Sequence, residues 1–132
     1  MSLGPKPSFG TIWTGDFPFD EWNDSKHRTL LVLAYRASSD EVFAVKVSST
    51  GSYSIAPGEF GVYGSDKFFE KTGLHRDSKV VFNSLAVIPV AKLVKQIGIL
   101  EINDRKTANR LMQAVKESRY ASAIATAIRS FG

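Results

Sequence analysis

Three short apolar segments fall within the first fifty residues, and they constrain the fold more than any other feature of the sequence. They span residues 11–17, 29–36 and 41–49. The second is rich enough in Leu and Val to predict a strand that is buried on both faces. The third alternates apolar residues with Phe or Lys, as a half-buried strand does. Because residues 38–40 (Ser-Ser-Asp) form only a short polar turn, the pattern predicts an antiparallel meander.

The middle of the chain alternates loops with strands. Residues 50–66 hold four glycines and one proline, which predicts a long loop that contains one short strand. We predict an edge strand at residues 67–71 and a longer strand at 79–88, with a turn between them. Pro89 suits the start of a short helical turn because its φ is already fixed.

The last thirty residues carry a helical period. Asn103 is predicted to cap a helix, and apolar residues recur at i, i+3, i+4 and i+7 from Ala108 to Val115, so this helix is amphipathic. Apolar residues at intervals of four from Tyr120 to Ile128 predict a second helix or a bent continuation of the first. The fold class is therefore mainly β with α (α+β), a strongly bent sheet or partial barrel with helices added at the end.

Length and composition exclude several classes of protein. A chain of 132 residues has the size of one domain, and its apolar runs are far shorter than the roughly 20 residues that span a membrane. No secretion signal is recognisable, and the absence of cysteine excludes a disulfide framework and a thiol nucleophile. We expect a cytoplasmic protein with no membrane association, a flexible lead-in at residues 1–9 and a single domain at 10–132.

The charge is unevenly distributed along the chain. Residues 1–70 hold 6 Lys and Arg against 9 Asp and Glu, whereas residues 71–132 hold 11 against 4. A basic half favours an anionic partner such as DNA, RNA or an acidic protein. A solvated, lysine-rich helix face explains the same charge equally well.

The first polar loop combines acidic residues with an aromatic one. Its acids have the spacing of no known calcium loop, so we expect neither a metal nor another cofactor; they are Asp16, Asp20, Glu21 and Asp24. Trp22 lies in this loop and is predicted to be exposed, where it can stack on a base or contact a partner. Tyr53 and Phe60 in the long loop are further stacking candidates, whereas Trp13 is predicted to lie in the core.

Both histidines directly precede an arginine. The pairs are His27-Arg28 and His75-Arg76. A guanidinium binds two phosphate oxygens with its fork of N–H groups, and an imidazole transfers protons near neutral pH. Because adjacent residues of a strand point to opposite faces, His27 and its arginine share a site only where the chain is still a loop. The alternative is that both histidines are exposed turn residues.

Four segments, in order, resemble the MazF/PemK (Kid) toxin family. They are Gly10–Leu33, with its G-x-I-W, F-P-F and S-K-x-R elements, Val45–Ser49, Thr72–Ser78 and Val87–Leu100. The similarity covers roughly residues 10–118. It implies a small SH3-like antiparallel β-barrel with C-terminal helices, of the MazF/CcdB type and usually a homodimer. It also implies a metal-independent endoribonuclease toxin that cleaves single-stranded RNA through the 2′-hydroxyl, inhibits growth and pairs with a cognate antitoxin.

The resemblance assigns roles position by position. Arg28 matches the family arginine that contacts the scissile phosphate, and Ser48 stands where the family usually has Thr. Arg76 matches a second arginine of the family, and Ser78 falls at an acidic position. The candidate catalytic residues are Arg28, Ser48, His75, Arg76 and Asp77. The candidate RNA-binding residues are Trp22, Lys26, His27 and Ser78.

Some positions depart from the family pattern and leave a non-catalytic alternative open. Thr29 replaces the usual Pro, Ser48 lacks the methyl group of Thr, and the acidic residue is Asp77, one position early. The alternative is a member of the same fold that binds RNA, an antitoxin or gyrase without cutting. The gyrase poison CcdB uses a Trp near its C-terminus, and this chain has no Trp after Trp22, which lowers the gyrase alternative.

Overall fold

The computed structural model of the protein describes residues 7–15 and 28–131. Six strands form one antiparallel sheet: β1 (Thr11–Gly15), β2 (Arg28–Arg36), β3 (Glu41–Ser48), β4 (Glu59–Val62), β5 (Ser78–Pro89) and β6 (Leu93–Ile99). Two helices follow, α1 (Arg105–Glu117) and α2 (Ala121–Phe131), and 3₁₀ turns occupy Glu70–Thr72 and Val90–Lys92.

The order of the strands in the sheet is β4-β5-β3-β2-β1-β6. The predicted α+β fold, with an antiparallel sheet and C-terminal helices, is therefore confirmed. The sheet is not closed into a barrel, because β4 and β6 are its two edges and do not pair with each other. Register shifts in β3 and its neighbours, at Val32/Ala34 and at Val45/Lys46, bend the sheet as bulges do.

Strand β2 runs through the centre of the sheet, and both of its faces are buried as predicted. All five residues from Leu30 to Ala34 are at most 3% exposed. Leu31 and Leu33 belong to the larger core, which includes Phe60 and Ile124. Leu30 and Val32 belong to a smaller cluster on the other face. Full burial of one such side chain stabilises a fold by about 1.5–3 kcal/mol, so this strand anchors the domain.

The two helices complete the larger core. Asp104, not Asn103, caps α1, because its Oδ2 accepts hydrogen bonds from the Thr107 backbone N–H at 2.9 Å and from the Thr107 hydroxyl at 2.7 Å. The prediction was one residue early, since both side chains are good caps. Leu111 packs against the core, but Met112, from the same predicted stripe, is 52% exposed.

The edge strand predicted at residues 67–71 is wrong. This segment forms consecutive turns that end in the 3₁₀ turn Glu70–Thr72. The Asp66 carboxylate accepts a hydrogen bond from the Tyr63 N–H at 2.7 Å, and the Phe69 N–H donates to the Asp66 carbonyl at 3.1 Å. Such bonds from an Asp compete with strand pairing. Phe68 is buried in the core from this turn, without a strand.

The long loop before β4 is held to the sheet by polar bonds. Lys79 Nζ lies 2.8 Å from Glu59 Oε1 and 3.1 Å from the Ser54 carbonyl oxygen. The side chains of both charged residues are nearly buried, at 14% and 13% exposure. Asn83 donates to the Pro57 carbonyl and accepts from the Arg119 N–H. Loop, strand β5 and the junction between the helices are therefore tied together.

Lys79→Ala is expected to lower the free energy of unfolding by about 1.5–3 kcal/mol, because it leaves the nearly buried Glu59 carboxylate without its cation. Urea denaturation measures the change. Lys92→Ala, at an exposed position, is the control and should stay within about 0.5 kcal/mol of wild type. The pair Lys79→Met with Glu59→Leu should recover most of the loss. Equal stability of the Lys79 and Lys92 variants would contradict the prediction.

Candidate functional site

A cavity of about 550 Å³ opens at one end of the sheet. Antiparallel pairing brings the end of β1, the start of β2 and the end of β3 to this rim, since Gly15 pairs with Arg28 and Thr29 with Val47. The turn after Thr72 forms the opposite wall. The polar lining residues are Thr14, Arg28, Thr29, Ser48, Ser49, Thr50, His75, Arg76 and Ser78, and the others are Val47, Gly73, Leu74 and Ile97.

Five of the residues singled out in the sequence line this cavity together. Arg28 is the first residue of β2 and Ser48 the last of β3, so each side chain starts from rigid backbone at the rim. His75, Arg76 and Ser78 come from the opposite wall. Residues up to 50 positions apart along the chain, Arg28 and Ser78, are thus brought to one concave surface.

The wall formed by residues 73–78 is shaped by its backbone. Gly73 takes a φ of +73° where the 3₁₀ turn ends, a conformation that favours glycine. The buried Ser78 hydroxyl donates to the Arg76 carbonyl at 2.9 Å. Within residues 7–15 and 28–131, the Arg76 side chain makes no ion pair or hydrogen bond. Its guanidinium is exposed at the cavity and can receive an anion.

Asp77 lies between two lining residues but does not itself line the cavity. Its carboxylate accepts hydrogen bonds from the Tyr53 hydroxyl and, at 2.7 Å, from the Gly64 N–H. These two bonds, the tyrosine's first, hold the pKa of Asp77 below its usual range. The same bond to Asp77 raises the pKa of Tyr53. The carboxylate therefore fixes two loops to each other in this structure.

Asp77→Asn is expected to flatten the acid limb of the stability curve. Because the folded-state pKa of Asp77 lies below the unfolded value of about 3.9, its bonds stabilise the fold fully above that pH. The contribution is lost as the pH falls through the folded-state pKa. Urea denaturation of wild type and variant between about pH 5 and pH 2 tests this. Two stability curves that stay parallel over this range would refute it.

Ser48 contributes a hydroxyl at the end of β3. Its Oγ accepts a hydrogen bond from the Thr50 N–H at 3.2 Å, as Ser side chains do at turns. Ser49 and Thr50 line the cavity beside it, and Thr14 and Thr29 line it from the neighbouring strands. None of these four hydroxyl residues was predicted as a site residue, and Thr29 was noted only as a departure from the family pattern. Their position in the sequence, at or next to the ends of strands that pair with each other, is the signal that could have indicated them.

The charge of the cavity is positive. Two arginines and a histidine line it, and among the described residues that form its wall there is no carboxylate. Guanidinium groups bind phosphate through two parallel hydrogen bonds, and hydroxyls can donate further bonds to the same oxygens. The cavity therefore suits a phosphate group, with room beside it for part of the molecule that carries the phosphate.

Several predicted residues lie outside the described part of the chain. They are Trp22, Lys26, His27 and the acids Asp16, Asp20, Glu21 and Asp24. Trp13 packs against the smaller core cluster as predicted, and its Nε1 donates to the Thr11 hydroxyl at 2.9 Å. Phe60 is wrong as a stacking candidate, because it is 1% exposed and lies in the larger core. Tyr53 is exposed.

No helix in residues 7–15 and 28–131 has both the length and the apolar character that a membrane crossing requires.

Searches with the sequence find no matching family model and no matching curated protein. Comparison of structures finds neighbours, and endoribonucleases and a toxin are among them. An endoribonuclease from Mycobacterial species, solved in complex with its cognate antitoxin, has a TM-score of 0.57 at 15% identity, with 91% of this chain and 95% of that chain covered. An endoribonuclease from Mycobacterial species has the same score and identity, with 95% and 96% covered.

The Mycobacterium tuberculosis toxin MazF-mt6 is a further structural relative. Its TM-score is 0.54 at 19% identity, with 88% of this chain and 96% of the toxin covered. Because 95% of this chain is aligned with one of these neighbours, the likeness includes both the sheet and the helices. The chain therefore has the fold of MazF-type toxins, as the resemblance in its sequence implied.

Proposed function

We propose that this protein is a MazF-type endoribonuclease toxin that cleaves single-stranded RNA. The observation that carries the proposal is the cavity, in which Arg28 and Arg76 face one space with no carboxylate in the described wall. It belongs to a chain with the fold of solved endoribonucleases. The basic cavity suits the phosphate of the RNA backbone, and RNA supplies its own nucleophile in the 2′-hydroxyl.

The proposed reaction forms one bond at phosphorus and breaks another. The 2′-oxygen attacks the adjacent phosphate, a pentavalent phosphorane carries the extra negative charge, and the 5′-oxygen leaves. The products are a 2′,3′-cyclic phosphate and a 5′-hydroxyl. In this proposal Arg28 and Arg76 stabilise the phosphorane, since donors aimed at developing charge contribute the largest part of such catalysis. The Ser48 hydroxyl orients a phosphate oxygen beside them.

Two protons must move in this reaction, one from the 2′-hydroxyl and one to the 5′-oxygen. His75 lines the cavity and is our proposed group for one of these transfers. The Asp77 carboxylate already accepts hydrogen bonds from Tyr53 and Gly64, so we propose His75 before Asp77 for this transfer. His27, outside the described residues, is the remaining candidate for the other transfer.

The experiment is incubation of the purified protein with a long single-stranded RNA in the presence of EDTA. Cleavage with 2′,3′-cyclic phosphate ends, and without a metal requirement, is the expected result. Loss of activity in EDTA that returns with a divalent metal would contradict the metal-independent mechanism. An absence of cleavage across several unrelated RNAs would overturn the nuclease proposal.

We further propose that the protein acts as a homodimer and is inhibited by a cognate antitoxin. The homodimer is proposed from the family resemblance alone. The antitoxin is proposed from that resemblance and from a structural neighbour that is solved with its own antitoxin. Light scattering after size exclusion should give about twice the 14.5 kDa of the monomer. A single species at the monomer mass would remove the dimer from the proposal.

The second candidate function is a non-catalytic member of this fold that binds RNA, an antitoxin or gyrase. The observation that favours it is the bonding of Asp77, whose carboxylate is tied to Tyr53 and Gly64. The same RNA incubation separates the two functions, because only a nuclease shortens the RNA. A member that binds RNA would retain it at full length on a filter, and one that binds an antitoxin or gyrase would leave it unbound.

A further inference from the structure

Tyr53 is the most exposed of the large apolar and aromatic side chains in the described part of the chain. Its relative exposure is 77%, against 50% for Phe9 and 42% for Phe131. A single exposed aromatic ring is common on protein surfaces, and what distinguishes Tyr53 is how firmly its ring is held. Phe131 has a partner in Phe43, on which its ring stacks at 5.9 Å.

The ring of Tyr53 is held in one orientation. It stacks on the ring of Tyr63, with centroids 5.6 Å apart and planes inclined by 15°. Its hydroxyl donates to the Asp77 carboxylate. The supporting Tyr63 is itself fixed, because its hydroxyl donates to the Ser52 carbonyl at 2.9 Å. One face of Tyr53 is thus packed, while its high exposure leaves the other open to solvent.

The segments that hold this ring also carry residues of the cavity wall. Asp77, which holds its hydroxyl, stands between Arg76 and Ser78, and both of these line the cavity. On the other side, Thr50 lines the cavity three residues before Tyr53, and a turn closed by the Ser54 N–H and the Gly51 carbonyl connects them. The Tyr53 ring is therefore attached to both walls of the cavity just outside its lining, where a nucleotide that follows the bound group can reach it.

We propose that Tyr53 stacks on the base of a nucleotide next to the phosphate held in the cavity, with Tyr63 supporting the ring from behind. The inference rests on the proposed function, which supplies the RNA. Stacking on an aromatic ring is available to every base and strengthens the binding of single strands. Because the ring is already fixed, little side-chain freedom is lost when a base stacks on it. Asp77 acts through Tyr53 as a positioning residue.

The test uses a short single-stranded RNA whose 2′-hydroxyls are methylated, so that it binds and is not cleaved. Fluorescence anisotropy gives its Kd for wild type, Tyr53→Ala and Tyr53→Phe. Tyr53→Ala should raise the Kd about 5- to 100-fold. Tyr53→Phe, which keeps the ring and loses the bond to Asp77, should raise the Kd by a smaller factor.

Abasic nucleotides separate stacking from a general loss of structure. Each position of the RNA is replaced in turn by a nucleotide without a base. At one position the replacement should weaken binding to wild type and have no effect on Tyr53→Ala, because the stacking partner is already absent. Arg76→Ala serves as the comparison: it should keep the sensitivity to that abasic position while reducing the salt slope by about one.

These measurements distinguish a failure of the stacking inference from a failure of the proposed function. If wild type does not bind the RNA, both are overturned. If Arg76→Ala weakens binding but Tyr53→Ala binds as wild type does, the stacking inference is wrong and the proposed function stands. If Tyr53→Ala weakens binding while every abasic position still affects both proteins equally, the residue has only a structural role, and the inference is also overturned.

Discussion

Arg28→Ala is expected to lower the rate of RNA cleavage by about 10²- to 10³-fold. That is the loss measured when one donor is removed from a site that stabilises an oxyanion, equivalent to about 2.7–4 kcal/mol of barrier. The physical reason is the position of Arg28 at the first residue of β2, on rigid backbone at the rim of the cavity. The measurement is the single-turnover cleavage rate of a defined RNA with enzyme in excess.

Arg36→Ala is the matched control, because it removes the same side chain from the other end of the same strand. Arg36 pairs with Glu41 at 2.6 Å, and its guanidinium lies over the Phe43 ring. Its loss should leave cleavage within about twofold of wild type, because Arg36 does not line the cavity and the loss of such an ion pair lowers stability by no more than about 1 kcal/mol. Equal effects of the two alanine variants would show that Arg28 has no special role.

Arg28→Lys distinguishes the charge of the side chain from its shape. Lysine keeps the positive charge but lacks the planar fork that binds two phosphate oxygens at once. A rate between those of wild type and Arg28→Ala is therefore expected. A lysine variant as active as wild type would mean that charge alone is sufficient and that the bidentate contact is not made.

Local signals in the sequence were sufficient to predict most of the sheet. The alternation at residues 41–49 and the apolar run at 29–36 gave strands within one residue of the structure. Such patterns record which faces are buried, and burial dominates strand formation. The segment 67–71 failed for two reasons. The apolar pattern of its own residues does not show the local turn bonds that Asp66 makes with Tyr63 and Phe69. The burial of Phe68 depends on tertiary contacts.

The candidate site was also predictable in part, from the chemistry of its residues and not from burial patterns. The pairing of histidine with arginine and the family resemblance identified the residues whose chemistry suits phosphate, and Arg28 and Arg76 do share a cavity. The direction of an individual side chain was not predictable. Asp77 looks equivalent to its neighbours in the sequence, but in the loop before β5 its carboxylate bonds to Tyr53 and Gly64 and does not line the cavity.

The cavity also depends on a close approach of two backbones that no sequence pattern revealed. A Cβ on Gly98 would overlap the backbone of Lys71 and Thr72, and a Cβ on Gly73 would overlap the Ile97 carbonyl. The two glycines thus let the 3₁₀ turn pass against the edge strand β6. Gly73 and Ile97 both line the cavity, so this crossing positions the wall that carries His75 and Arg76.

Gly73→Ala is expected to destabilise the protein by about 2–5 kcal/mol. About 1–2 kcal/mol comes from placing a Cβ at a φ of +73°. A further 1–3 kcal/mol comes from crowding against backbone that cannot move freely. Gly98→Ala has only the second cost and should lose about 1–3 kcal/mol. The measurement is the free energy of unfolding from urea denaturation at neutral pH.

Two other glycines separate these costs. Gly51 has a φ of +65° with its nearest contact, Lys79 Nζ, at an ordinary 3.7 Å, so Gly51→Ala should show the conformational cost alone, about 1–2 kcal/mol. At Gly64 a Cβ would meet only Asp77 Oδ1 at 3.5 Å, and φ is not in the left-handed region. Gly64→Ala should stay within about 0.5 kcal/mol of wild type. If Gly73→Ala were no more destabilising than Gly51→Ala, the turn would have room to move away from β6, and the crossing would not be what fixes the wall of the cavity.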